Sequence, residues 1–168
     1  MKRAVAAALI LTATAGIAFA KSQARVDPVA CPAINVLEEA TRLTQMDAGS
    51  IDLKAEIREP ELACTIAGGT AKAQLSFWVK GAIAPTAKVA GRNVPYFVAI
   101  ILNGDIVAKE VFDLKLAFEG EKRVLSVKER VTRIDIPIAQ GKTAEDYSVT
   151  IGFQLTQEQA DYNRTASR

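Results

Sequence analysis

Over most of this chain the apolar positions keep to a period of two. Ile51, Leu53, Ala55 and Ile57 alternate with Asp52, Lys54, Glu56 and Arg58, the pattern of a strand with one face buried and the other wet. Glu59-Pro60 breaks the run, and Leu62, Cys64 and Ile66 resume it as far as Gly68-Gly69, a hairpin turn signal. The return arm places Ala71, Ala73, Leu75, Phe77 and Val79 on one parity and Trp78 on the other. Gly81 and Pro85 are expected to end it, and residues 85–92 read as a loop.

The stretch 94–118, VPYFVAIILNGDIVAKEVFDLKLAF, carries the clearest hairpin. Its two apolar runs meet at Asn103-Gly104, a pair suited to the positive φ angles of a type I′ turn. Tyr96, Val98, Ile100 and Leu102 alternate with Phe97, Ala99 and Ile101, so this arm is apolar on both faces and is predicted to be a central, covered strand. The second arm sets Ile106, Ala108, Phe112, Leu114, Leu116 and Phe118 on one parity, with Glu110 as the misfit. A bulge or an open edge beside Glu110 would relieve the conflict. Between Arg123 and Ile138 the apolar set moves from odd positions (Leu125, Val127, Val131) to even ones (Ile134, Ile136, Ile138). A strand that crosses between sheets through a bulge or bend would do this. Tyr147, Val149, Ile151, Phe153 and Leu155 make the last strand, and Thr156-x-x-Gln159 is a capping-box pattern that would start a short turn of helix.

One region departs from this texture. Cys31-Pro32 resembles a helix start, Val36, Ala40 and Leu43 fall on one helical face, and Glu38 and Arg42 stand four apart. The spacing predicts a short helix that ends near 47–50. The whole chain then reads as a signal peptide over 1–20, a flexible leader over 21–30, a short helix and linker over 31–50, a β-sandwich over 51–156 and a C-terminal turn and tail over 157–168. The fold class is all-β, an antiparallel sandwich of about seven strands with a short N-terminal helix.

Tyr147, entering a late strand after a Gly-containing loop, resembles the tyrosine corner of immunoglobulin-like and fibronectin-type sandwiches. In layout the chain is similar to small exported bacterial β-sandwich proteins without assigned activity. That resemblance implies an immunoglobulin/fibronectin-like arrangement of strands and names no functional residue. The Cys…Trp…Cys spacing of antibody domains is missing.

The N-terminus changes the picture from fold to location. Met1-Lys2-Arg3 is basic, 4–20 is uncharged and mostly apolar, and Ala18-Phe19-Ala20 is a small-x-small cleavage site. This is the layout of a secretory signal peptide cleaved after Ala20, and it places the protein in the periplasm or cell envelope. Seventeen residues interrupted by Thr12, Thr14 and Gly16 are short for a membrane span of about 20, so no membrane contact is expected after cleavage. The chain has 21 basic and 19 acidic residues, and its formal charge of +2 is that of Lys2 and Arg3. A neutral mature chain lacks the electrostatic footprint of a nucleic-acid binder.

Composition also limits the chemistry. There is no His, which removes the usual general base, the His-dependent triads and most zinc sites. No Walker-type, GxSxG or GxGxxG pattern occurs. Neither a metal nor a cofactor is expected, and the chain is read as non-enzymatic. Glu38-Glu39 and Glu145-Asp146 read as solvated surface. The two cysteines, Cys31 and Cys64, are far apart in sequence and both exported, so they read as a structural disulfide. Lys128, Arg130 and Arg133 form a basic stripe whose simplest role is to guard a sheet against edge pairing.

What remains is a protein-binding or assembly module of the envelope. Its expected contact residues are Trp78, Arg92 in the loop around 85–93, and Tyr162 with Arg164 near the C-terminus, an aromatic and Arg combination common at hot spots. The alternative is a carrier that holds a small apolar or lipid ligand between the sheets, for which Ala71, Ala73, Ala99, Ala108 and Ala117 would leave room.

Overall fold

The computed structural model describes residues 30–166; the expected signal peptide, nearly all of the leader and the last two residues lie outside them. In chain order the strands are β1 (Ala33–Val36), β2 (Arg42–Asp47), β3 (Ser50–Ala67), β4 (Thr70–Ile83), β5 (Arg92–Leu102), β6 (Asp105–Leu116), β7 (Val124–Pro137) and β8 (Tyr147–Phe153), followed by helix α1 (Gln157–Ala166). They form two four-stranded sheets, ordered β1-β8-β5-β6 and β2-β3-β4-β7. Every pairing is antiparallel except that of β1 with β8.

The alternation read from sequence becomes the space between the sheets. Leu53, Ile57, Leu75, Phe77 and Val79 face Val94, Tyr96, Leu116, Val149, Ile151 and Phe153, all buried in one cluster. Each such aliphatic or aromatic side chain contributes roughly 1.5–3 kcal/mol relative to exposure. Tyr96 sits at its centre, stacked on Phe112 and edge-on to Phe77, both ring centroids at 5.2 Å. The predicted hairpin is β5–β6, and Asn103 and Gly104 turn it with φ of 54° and 91°. As expected, β5 is central, and its second face carries Phe97 and Ala99 against Ala40 and Leu155.

The N-terminal helix expected over 31–50 is not formed. That segment is β1, one turn of 3-10 helix at Glu38–Ala40, and β2. Ile34 and Val36 face inward while Ala33 and Asn35 are exposed, a two-residue alternation too short to outweigh the helical spacing of Val36, Ala40 and Leu43. Tertiary pairing decides the outcome: β8 and β3 satisfy the backbone groups of β1 and β2, whereas a lone helix of this length is marginal in water. The 3-10 turn carries the chain from one sheet to the other. Its Ala40 packs where Gly152 leaves space, since a Cβ on Gly152 would lie 2.7 Å from that of Ala40 and 3.0 Å from the Phe97 ring.

Three finer expectations change as well. Glu59-Pro60 does not end a strand. Glu59 takes φ of 51° and the register shifts between Arg58 and Glu61, so β3 runs on through a bulge that moves its inward set from odd to even positions. In β7 the parity change is also a bulge, opposite Ala73/Leu75, but the strand stays beside β4 and does not cross sheets. Gly81 lies within β4, where a Cβ would meet Leu116 at 2.7 Å; it is a point of close sheet approach and not a strand end.

Candidate functional site

A cavity lies outside the sandwich, between α1 and the outer face of β2, β3 and β4. It encloses about 630 Å³. Alternation builds its floor: Arg42 pairs with Glu56 and Glu56 with Lys80, while Lys54 lies between Thr44 and Ala82, all on the parity opposite the core residues Leu53, Ala55 and Val79. Glu38 and Glu39 of the 3-10 turn form one rim.

The roof is α1. Its start is the capping box expected from Thr156 and Gln159: the Thr156 N–H donates to Gln159 Oε1 at 2.9 Å and the Gln159 N–H donates to Thr156 Oγ1 at 3.3 Å. The helix continues to Ala166, well beyond the single turn expected, although it buries none of its residues. What fixes it is Asn163, whose amide donates to the carbonyl oxygens of Glu39 at 3.0 Å and Arg42 at 2.8 Å. That clamp joins the helix to both the 3-10 turn and β2. Tyr162 and Arg164 then overhang the cleft, with Arg164 in an ion pair to Asp161 one turn back. Lys54 and Lys80 on the floor make no ion pair with another described residue.

Two of the four expected contact residues, Tyr162 and Arg164, therefore line one cleft. Trp78 is 37 % exposed on the same outer face, next along β4 from Lys80, between Arg58 and Lys128. The Lys128 ammonium stands 5.9 Å from its ring centroid. Arg92 is elsewhere and turned inward. Its guanidinium donates to both oxygens of Asp52, at 2.6 and 2.9 Å, and to the carbonyls of Lys88 and Ala90. These hydrogen bonds, followed by charge, hold the Asp52 carboxyl below its usual range against the opposing effect of burial. Arg92 thus pins the loop before β5 to the body of the protein.

Cys31 and Cys64 form a disulfide with Cα atoms 5.7 Å apart. It joins the chain two residues before β1 to β3, so it staples one sheet to the other. Sequence reasoning did not single out Arg42, Lys54, Lys80 or Asn163. The wet parity of β3 and β4 already marked the two lysines as outward; what was missing was the helix above them. Asn163 stands between the two expected contact residues Tyr162 and Arg164, and no local pattern marks it as a clamp.

A second, smaller groove of about 360 Å³ opens where β6 and β7 meet, lined by Val98, Ile100, Ala108, Phe112 and Ile134 with Glu110 and Arg133 at its polar margin. Glu110 thus faces an open edge, as its misfit parity suggested. Arg133 also lines this groove, and because the inward set of β7 moves from odd to even positions at the bulge, it keeps to the outward face that Lys128 and Arg130 share. Among the described residues no group of three or more Cys, Asp or Glu side chains is placed to hold a metal ion, and no helix is long and apolar enough to cross a membrane. Compared with known proteins, the chain matches no family model, no curated protein and no solved structure.

Proposed function

We propose that the protein is an exported, non-catalytic module that binds another envelope protein, and that the cleft beneath α1 is its binding surface. The observation that carries this reading is the cleft itself: a cavity roofed by a helix that is held by the Asn163 side chain and floored by Lys54 and Lys80, which make no ion pair with another described residue. Such a floor favours a partner segment that carries carboxylates, with Tyr162 and the nearby Trp78 as apolar anchors. The Cys31–Cys64 bridge is what an oxidising compartment would produce, in keeping with cleavage of a signal peptide after Ala20. The likeness to immunoglobulin- and fibronectin-type sandwiches belongs to the same reading. Its support is Tyr147, whose hydroxyl accepts a hydrogen bond from the Ala139 N–H at 3.0 Å.

A photo-crosslinking side chain at position 162, activated in intact cells, tests the proposal. One dominant envelope protein should be captured, and Lys54→Glu with Lys80→Glu should abolish the capture. A capture pattern indifferent to that charge reversal would rule the cleft out.

The groove at the β6–β7 edge supports a second reading, a carrier for a small apolar or lipid ligand. Organic extraction of the purified mature protein followed by mass spectrometry separates the two. A stoichiometric lipid would favour the carrier.

A further inference from the structure

The free edge of β6 carries its own argument, independent of the cleft under α1. β6 closes its sheet, with β5 on one side and, among the described residues, no strand on the other. Its exposed residues include Ile106, Val107 and Val111, which are 64 %, 53 % and 51 % accessible. A long, apolar edge is a template for pairing with another strand unless something blocks it.

Which backbone groups face that edge follows from Pro95. Pro95 has no N–H, and its carbonyl accepts a hydrogen bond from the Gln154 N–H at 2.8 Å, so its backbone faces the β8 side. Backbone direction alternates along a strand, so Val94, Tyr96 and Val98 turn toward β6. Their partners Leu114, Phe112 and Glu110 turn back toward β5. The N–H and C=O groups of Lys109, Val111 and Asp113 therefore point out to the open edge. Their side chains lie on the outer face of the sheet, where the Lys109 ammonium rests 4.5 Å from the Phe97 ring centroid.

We propose that a second copy of this chain occupies this edge, β6 pairing antiparallel with β6 about a two-fold axis through Val111. A symmetric pair must bring outward-facing residues opposite outward-facing ones, so the axis has to pass through a residue and not between two. An axis through Lys109 or Asp113 opposes that residue to its own copy. One through Glu110 opposes two glutamates, and one through Phe112 sets Lys109 against Lys115. Only the axis at Val111, among these central registers, pairs Lys109 with Asp113 of the second copy, twice by symmetry, and leaves no like charges opposed. The valines meet on the axis. Lysines on an edge ordinarily prevent strand pairing; in this register they select one partner and one alignment.

Sedimentation of the mature chain, with its disulfide intact, tests this over a range of concentrations. A reversible dimer is expected, weakened at least about tenfold by Lys109→Asp or by Asp113→Lys, since each reversal acts at both symmetric pairs. Combining the two reversals should restore it. A Val111→Cys variant should crosslink to its own copy on mild oxidation, because residues in a hydrogen-bonded antiparallel pair have Cα atoms about 5.5 Å apart, within disulfide range. Three outcomes would overturn the proposal: a monomer at every concentration, a dimer indifferent to both reversals, or single-variant losses that the double variant fails to restore.

Discussion

The two long sides of the sandwich are built differently. On one side the chain itself passes between the sheets, from β1 through the 3-10 turn to β2, and the Cys31–Cys64 bridge ties the sheets a second time, from just ahead of β1 to β3. Ala40 caps Phe97 there, and α1 is clamped close by. On the other side β6 and β7 diverge around a groove, and the Tyr96 hydroxyl of β5 donates to Glu129 of β7 at 3.1 Å. The difference teaches where the protein can be altered without being unmade. The closed side holds the sheets together, whereas the open side presents apolar side chains and backbone hydrogen-bonding groups that the fold leaves unused.

The largest expected effect lies on the closed side. Replacing both Cys31 and Cys64 with Ser should cost roughly 3–4 kcal/mol, because the bridge closes a loop with a sequence separation of 33. Urea unfolding of the oxidised and Ser-substituted proteins measures this; a loss below about 1 kcal/mol would mean that the strand pairing alone closes this side. Gly152→Val should come next, at about 2 kcal/mol, since its side chain would drive into Ala40 and the Phe97 ring. Thermal unfolding checks it, and the paired Ala40→Gly change should recover part of the loss.

Arg92→Ala should cost about 2 kcal/mol by freeing the loop before β5 and leaving Asp52 without its partner. It also has a pH signature. Because the Asp52 carboxyl is held below its usual value of 3.8, the stabilisation is complete above that pH and is lost as pH falls below it. Stability curves of the wild type and Arg92→Ala should therefore converge in acid; curves that stay parallel down to about pH 2 would refute the linkage.

The smallest effect belongs to the open side. Tyr96→Phe removes a single hydrogen bond, and about 1 kcal/mol is expected. Burial first, then the charge of Glu129, raises the Tyr96 hydroxyl well above its usual value of 10.0. A raised acid group stabilises the fold fully below its unfolded value and loses that contribution as pH rises beyond it. The wild type should lose stability above about pH 10 more steeply than Tyr96→Phe, which circular dichroism melts can follow.

Much of this is legible in the sequence. The hairpin at Asn103-Gly104, the central place of β5, the capping box at Thr156 and the pairing of Cys31 with Cys64 each rest on a local rule or on simple counting. The segment 31–50 misled because four residues of alternation in β1 are a weaker signal than three apolar residues at helical spacing. Of the expected contact residues, Tyr162, Arg164 and Trp78 share one side of the molecule, but Arg92 serves the fold through Asp52, forty positions away in sequence.

The sequence by itself determined which residues face inward, because alternation on a pleated strand is a local property. It also determined the turns at Gly68-Gly69 and Asn103-Gly104, and that the chemistry would lack histidine. Only the tertiary structure decided that β1 and β2 are strands, since their backbone partners come from β8 and β3. It alone brought α1 over Lys54 and Lys80 through the Asn163 amide, and left β6 as an edge. Each of these depends on groups distant in the chain meeting in space, and no local pattern encodes such a meeting.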